Sequence, residues 1–142
     1  MTTQKIKNFK TLDRITSSNL DELRMVLAAI QTKEDDFNAQ RVILEGREKA
    51  ERILVSNDPQ QAHTFTAFIQ SSEAKRLELK KSLRVLEEQK ESVLDDIRQN
   101  FQDQKKWQTM LEKEYEHLKL GENKREQNDL DQLAERRHRE NK

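Results

Sequence analysis

Residues that break helices are almost absent from this chain. Its 142 residues include one Pro and two Gly, which argues against a fold with many turns, because chain reversals usually depend on such residues. Only 32% of the residues are hydrophobic and 38% are charged, which leaves too few apolar side chains for a thick core. Long helices that bury one narrow stripe and leave the remaining surface in water satisfy both limits.

The one strong break surrounds Pro59. Asp58 is a typical N-cap residue, Pro59 suits the first position of a helix, and Gln61 completes a capping-box pattern. Because the residue before a proline avoids the helical region, the preceding helix should end just before this turn. The sequence predicts a single domain over residues 1–142, with helix 1 over about 6–56, a turn at 57–60 and helix 2 over about 60–140.

The start of helix 1 can be interpreted in two ways. Phe9, Leu12 and Ile15 have a helical spacing, which favours one helix from about Ile6. Asn19, followed by Glu22 three residues later, also forms an N-cap pattern and would begin a separate helix. We expect the continuous helix.

Both predicted helices carry a seam of apolar residues that recur at steps of three, four and seven, as in a coiled coil. In helix 1 the seam is Leu20, Leu23, Leu27, Ile30, Phe37 and Leu44. In helix 2 it is Phe65, Ile69, Leu79, Leu83, Leu86, Val93, Ile97, Trp107, Leu111 and Leu118. Near the turn the seam positions Glu48 and Glu51 are charged, and we expect Ile53, Leu54 and Val55 to replace them.

A short turn between two such helices makes them antiparallel. The predicted fold class is therefore all-α, a long two-helix antiparallel coiled-coil hairpin. With the reversal near residues 58 and 59, paired residue numbers should add up to about 117, so that Phe9 is level with Trp107. Helix 2 then overhangs helix 1 by about 30 residues, roughly 45 Å. The apolar residues of this overhang that lack a partner within the chain are Leu111, Leu118, Leu130 and Leu133.

Composition and motifs argue against several classes of function. Lys plus Arg and Asp plus Glu are equal at 27 each, whereas nucleic-acid binding requires surplus cations. There is no Cys, and His63, His117 and His138 are not at ligand spacings, so we expect no metal site. There is no Gly-rich phosphate loop, so we expect no cofactor.

A two-helix fold also offers no desolvated cleft, so we expect no catalytic residues and no enzyme activity. No stretch approaches the roughly 20 apolar residues needed to span a bilayer. We therefore expect no direct membrane insertion.

Two surfaces are candidates for binding a protein partner. The first is the overhang, whose apolar residues need cover and whose alternating charges suit a polar partner. Its candidate residues are Tyr115, Leu118, Arg125, Glu126, Gln127, Leu130, Asp131, Leu133, Arg136 and Arg137. The second follows the turn, where three large apolar residues in five positions are too many for one narrow stripe. These residues are Phe65, Phe68 and Ile69.

Residues 105–113 (KKWQTMLEK) and 125–137 (REQNDLDQLAERR), with a weaker match at 65–70 (FTAFIQ), carry a family resemblance. They resemble the FliJ family, the central-stalk component of the bacterial flagellar type III export apparatus. Asn128 and Gln132 depart from the family pattern, which has a basic and an acidic residue at these two positions.

The resemblance implies a non-enzymatic stalk and general chaperone that binds the hexameric export ATPase and promotes assembly of its ring. The overhang would contact the ATPase, and Phe65, Phe68 and Ile69 would contact the membrane export gate protein or export chaperones. The implied location is cytoplasmic, with peripheral association with the inner membrane through the export apparatus, and the chain alone would be monomeric. The alternatives are the equivalent stalk of an injectisome-type secretion system and a generic homodimeric coiled-coil spacer.

Overall fold

The chain is all-α. A computed structural model describes residues 2–141, so the two ends of the predicted domain, Met1 and Lys142, lie outside the described residues. Helix α1 spans Thr2–Asn57, a 3₁₀ turn spans Pro59–Gln61, and helix α2 spans Ala62–Glu140. Residues 2–141 contain no strand.

Helix α1 begins at Thr2, four residues before the expected start. It is continuous through residues 16–19, so a separate helix does not begin at Asn19. Thr side chains disfavour helices partly because their hydroxyls compete for backbone groups. Here Thr11 and Thr16 donate their hydroxyls to the carbonyl oxygens of Lys7 and Leu12, one turn earlier, at 2.9 and 2.8 Å. The hydroxyls are thereby satisfied without interrupting the helix.

The turn is capped by Asp58. Its backbone is extended, and its side chain accepts a hydrogen bond of 3.1 Å from the backbone N–H of Gln60. The Asp58 N–H donates to the carbonyl oxygen of Leu54 at 2.9 Å, which satisfies one of the last carbonyls of α1. Pro59 begins the 3₁₀ turn, where its missing N–H leaves no hydrogen bond unmade.

The helices divide into two compact units. One comprises residues 2–21 with 98–141 of the described chain, and the other comprises Glu22–Ile97. In the second unit the covered seam positions of α1 are Leu23, Leu27, Ile30, Glu34, Phe37, Leu44, Glu48, Glu51 and Val55. Those of α2 are Phe65, Ile69, Ser72, Leu79, Leu83, Leu86, Lys90, Val93 and Ile97.

The first unit has a seam of the same spacing. Its covered positions in α1 are Ile6, Phe9, Asp13, Thr16 and Leu20. Those in α2 are Asn100, Gln104, Trp107, Leu111, Glu114 and Leu118. Phe9 and Trp107 stack with ring centroids 6.3 Å apart and an angle of 24° between the rings, so the two residues are level with each other, as the sequence predicted. Polar residues occupy five of these eleven seam positions, compared with five of eighteen in the second unit, so each apolar pair in the first unit matters more.

Of the three residues expected to replace the charged seam residues, Val55 is half-buried in the seam, but the expectation is wrong for Ile53 and Leu54. Both are more than half exposed, whereas Glu48 is only 6% exposed and Glu51 is half-buried. The heptad spacing continues through Glu48 because its carboxylate pairs with the guanidinium of Arg76 on α2. A buried carboxylate without such a partner would be strongly unfavourable. A second polar pair, Glu34 with Lys90 at 3.5 Å, has the same arrangement.

The register differs by several residues from the expected one near these pairs. Glu34 with Lys90 and Glu48 with Arg76 each give residue numbers that add up to 124, rather than about 117. The 3₁₀ turn occupies Pro59–Gln61, so the reversal is centred later in the chain than residues 58 and 59. Sequence reasoning treated the turn as a point and therefore placed the partners too early.

We predict that Arg76→Met lowers the free energy of unfolding by about 1–3 kcal/mol, because the covered Glu48 carboxylate loses its charged partner. Urea unfolding followed by circular dichroism measures the effect. Arg84→Met is the control, since Arg84 pairs at 3.9 Å with Glu88 and both side chains are exposed; it should change stability by less than about 0.5 kcal/mol. Adding Glu48→Leu to Arg76→Met should restore the lost stability. Equal effects of Arg76→Met and Arg84→Met would mean that Glu48 is solvated.

Candidate partner-binding surfaces

The end of α2 is a bare helix. From Lys119 to Asn141 every described side chain is exposed, although α2 continues to Glu140. This bare segment is about 33 Å long at 1.5 Å per residue, shorter than the predicted overhang. The difference arises because α1 reaches further along α2 than expected. Lys5 lies 3.9 Å from Glu114, and the Lys10 ammonium lies 5.7 Å from the centre of the Tyr115 ring.

Two of the leucines that were expected to lack a partner are covered. Leu111 and Leu118 are half-buried at seam positions of the first unit, because α1 extends to Thr2. Leu130 and Leu133 are more than half exposed, as expected.

Of the ten predicted residues of the overhang, only Leu118 is half-buried. Tyr115 is exposed but has Lys10 over its ring. The other eight predicted residues all lie on the bare segment and are exposed: Arg125, Glu126, Gln127, Leu130, Asp131, Leu133, Arg136 and Arg137.

The seam itself stops at Leu118. Continuing the heptad spacing beyond it leads to Gly121, Arg125, Asn128, Gln132 and Glu135, none of which is apolar. Leu130 and Leu133 lie one turn apart at other positions of the helix surface. The bare segment therefore does not extend the coiled-coil seam, and a partner would find a small apolar spot on a polar helix.

Beyond Arg125 the charges of the bare segment are separated into blocks rather than alternating as expected. Between residues 126 and 135 there are four carboxylates and no Lys or Arg, namely Glu126, Asp129, Asp131 and Glu135. Arg136, Arg137 and Arg139 follow at once, and the last two lie in the final turn of α2. Cations at this position complement the negative end of the helix dipole. An acidic block followed by a basic one gives the segment a direction that a partner surface can recognise.

Local contacts help to keep the bare segment helical without a packing partner. The Gln127 side-chain amide donates to Asp131 at 3.3 Å, and Arg139 pairs with Glu135 at 3.3 Å. Both are contacts between residues four apart, which stabilise exposed helices by about 0.2–0.5 kcal/mol each. The segment is thus presented to a partner as a formed helix.

The cluster after the turn is less exposed than expected. Phe65, Phe68 and Ile69 are all half-buried. They lie on the same side of α2 as the fully covered Ser72, because residues three, four and seven apart share a helix face. The seam therefore covers part of all three side chains rather than leaving one free, and the surface that remains for a partner is narrower than predicted.

Sequence reasoning missed an exposed apolar face on α1. Val42, Ile43, Ile53 and Leu54 are each more than half exposed. Val42 and Ile53 lie opposite the seam of α1, and Ile43 and Leu54 lie on its flank. The spacing of these residues is visible in the sequence, but the seam prediction includes only Ile53 and Leu54 of the four.

Other chemistry is limited within residues 2–141. No group of three or more His, Asp or Glu side chains in this range is placed to hold a metal ion. No helix in the same range is long and apolar enough to cross a membrane. Comparison of the chain with protein-family models, with curated proteins and with solved structures finds no match.

We predict that a chain ending at Leu120 is as stable as the full chain, to within about 0.5 kcal/mol, because the removed residues have no covered side chains. Urea unfolding of both chains measures this. A chain ending at Met110 is the control, since it also loses the covered residues Leu111, Glu114 and Leu118. It should be destabilised by about 2 kcal/mol or more. A large loss in the first truncation would mean that the bare segment packs on the chain.

Proposed function

We propose that the chain is a two-helix antiparallel coiled-coil hairpin that acts as the non-enzymatic stalk of a flagellar type III protein export apparatus. The observation that carries the proposal is the bare end of α2. This segment is helical, uncovered and without a seam, and its charges are separated into blocks. It coincides with the stretch in which the resemblance to the FliJ family is densest.

Contacts within each unit support the hairpin. In the second unit Glu34 pairs with Lys90 and Glu48 with Arg76, so the partner in α2 comes earlier in the chain as the residue in α1 comes later. The first unit has the same order, because Lys5 pairs with Glu114 and the later residue Asp13 pairs with the earlier residue Gln108. This order is typical of antiparallel helices. The covered positions recur at steps of three and four in both units, as in a coiled coil.

In the proposed mechanism the bare end of α2 enters the hexameric export ATPase ring and promotes its assembly. A polar lumen suits this segment because charged contacts in water are individually weak, so several must act together. Weak contacts also allow the segment to exchange between positions in the ring, whereas a deep apolar contact would hold it in one place. Leu130 and Leu133 supply the small apolar contact that adds affinity.

A second contact is proposed for the residues after the turn. Phe65, Phe68 and Ile69 are half-buried, so part of each side chain remains accessible to a partner. This surface would bind the membrane export gate protein or an export chaperone and so couple the ATPase to the gate. The stalk would then be cytoplasmic and associate with the inner membrane only through the apparatus. On its own it would be a monomer, unlike a homodimeric spacer.

We predict that Cys residues replacing Glu34 and Lys90 are joined within one chain by a short bismaleimide, because their side chains meet at 3.5 Å. Denaturing electrophoresis and mass spectrometry of dilute protein measure the product. Cys replacing the exposed Met25 together with Lys90 is the control pair and should react poorly. Light scattering of the unmodified chain should give the mass of a monomer. Crosslinks that form only between chains, with a dimeric mass, would favour the homodimeric spacer.

We predict that the chain ending at Leu120 fails to bind or stimulate the flagellar export ATPase but still binds the cytoplasmic part of the gate protein. Phe68→Ala should have the opposite pattern. Arg125→Ala/Arg136→Ala should weaken ATPase binding, and the intact complex should weaken with added salt, because the contacts are charged. Pull-down and ATPase assays with the purified partners measure both. If the truncated chain binds the ring normally and Asp58→Ala/Gln60→Ala does not, the turn rather than the open end engages the ring.

A further inference from the structure

Between residues 39 and 54, helix α1 is apolar on its outer face as well as along its seam. The residues on this face are Ala39, Val42, Ile43, Gly46, Ala50, Ile53 and Leu54, and all of them are exposed. Steps of three and four residues place Ala39, Val42, Gly46, Ala50 and Ile53 along one line of the helix. The face is about 24 Å long at 1.5 Å per residue. In a chain with 38% charged residues, an exposed face of this length without a charge is a candidate interaction surface.

Gly46 lies at the centre of this face. A methyl group added at its Cα would meet no atom within 4 Å, so no packing within the described chain requires a glycine there. Glycine in a helix interior is less favourable than alanine by about 1 kcal/mol. The absence of a side chain, with Ala39 and Ala50 on either side, allows another helix to approach the backbone of α1 closely, since the distance between packed helices depends on the side chains at the contact.

The apolar face leads into a groove on one side. Ile43 lines a groove of about 320 Å³ in the second unit, together with Phe37 and Leu44 of α1 and Leu79 of α2. An apolar side chain of a docked helix can enter this groove beside Ile43. The combination of a flat apolar line and a flanking groove is typical of sites that bind amphipathic helices.

The rims of the face are basic. Arg47 lies on one side, and Lys49 and Arg52 lie on the other, with Glu45 as the rim carboxylate. Glu48 is buried and engaged by Arg76. A second copy of this chain would bring one basic rim against another in either orientation of the two helices, which is unfavourable. A helix with carboxylates beside its apolar stripe complements both rims.

We propose that the outer face of α1, residues 39–54, binds an amphipathic helix of another protein whose apolar stripe is flanked by Asp and Glu. The proposal does not rest on the stalk function, since all of its residues lie on α1 and none belongs to the bare end of α2 or to the Phe65, Phe68 and Ile69 cluster. It adds a second kind of helix contact to this chain, on the side of α1 that its own seam does not use.

The probe is a synthetic fluorescent peptide of about three heptads with Leu at the a and d positions and Glu at the flanking e and g positions. The matched control peptide has Lys at the flanking positions. Fluorescence anisotropy with the full chain should show at least about tenfold tighter binding of the Glu peptide, and the difference should shrink with added salt. Equal binding of the two peptides would overturn the charge argument, and no binding of either would overturn the site.

Variants of the full chain locate the binding. Val42→Asp/Ile53→Asp should abolish it, whereas Met25→Asp, at another exposed apolar residue of α1, should leave it unchanged. Loss of binding in both variants, or in neither, would place the peptide elsewhere. If sedimentation shows a dimer that Val42→Asp/Ile53→Asp separates, the occupant is a second copy and the proposal is wrong.

Gly46→Leu gives the sharpest test, because folding and binding should respond in opposite directions. It should raise the thermal midpoint, since a helix-favouring residue enters open space, and it should weaken binding of the Glu peptide at least about tenfold by blocking close approach. Gly121→Leu is the matched control, since Gly121 is also surrounded by open space; because Gly121 lies on the bare segment, the substitution should change the midpoint little and leave binding unaffected. Unchanged or tighter binding by Gly46→Leu would overturn the proposed contact.

Discussion

Coverage of one narrow stripe of side chains determines most of this structure. In a chain with so few apolar residues, the main source of helix stability is a seam buried against another helix. Each unit of this protein has that arrangement, with covered positions that recur at steps of three and four on both α1 and α2. At three polar positions of the seam, a charged partner or a local hydrogen bond compensates the polar group. Glu48 has Arg76, Glu34 has Lys90, and Thr16 satisfies its own hydroxyl one turn earlier.

The same constraint distinguishes the surfaces that are available to partners. Where the seam packs against the other helix, it contributes stability, and the residue types on the remaining faces can vary. Where α2 continues without a partner, its heptad positions turn polar after Leu118 and its helix depends on local contacts such as Gln127 with Asp131. The outer face of α1 near Gly46 is the opposite case, because it is apolar although no seam covers it. We propose that these two surfaces, the bare end of α2 and the outer face of α1, bind partners.

Much of the fold could be predicted from the sequence because few signals compete in it. Pro59 is the only proline, so the break was unambiguous, and the pairing of Phe9 with Trp107 at one level followed from a short turn and helical spacing. The start of α1 could not be located because Thr2 follows no capping residue. Ile53 and Leu54 were assigned to the seam on hydrophobicity alone, whereas the phase of the heptad selects Glu48 and Glu51.

The candidate surfaces were predicted less well, for a related reason. Coverage of Leu118 depends on where α1 ends, and coverage of Phe68 depends on the width of the seam. Neither property can be inferred from the local sequence. The residues of the bare end of α2 were identified because they lie beyond any residue that α1 can reach. The outer face of α1 was overlooked because a search for one helical stripe ignores a second stripe on the opposite side.

The sequence separation of the contacts has a consequence for how the chain is made. Glu48 and Arg76 are 28 residues apart, whereas Asp13 and Gln108 are 95 apart, and closing the longer loop costs about 1 kcal/mol more in chain entropy. We therefore expect the pairs nearest the turn to form first and pairing to spread outward from there. Since Ile6, Phe9 and Leu20 leave the ribosome early, they must wait for residues that are translated roughly 5–20 s later. Among the seam residues of α1 and α2, we expect those that are translated earliest to be covered last.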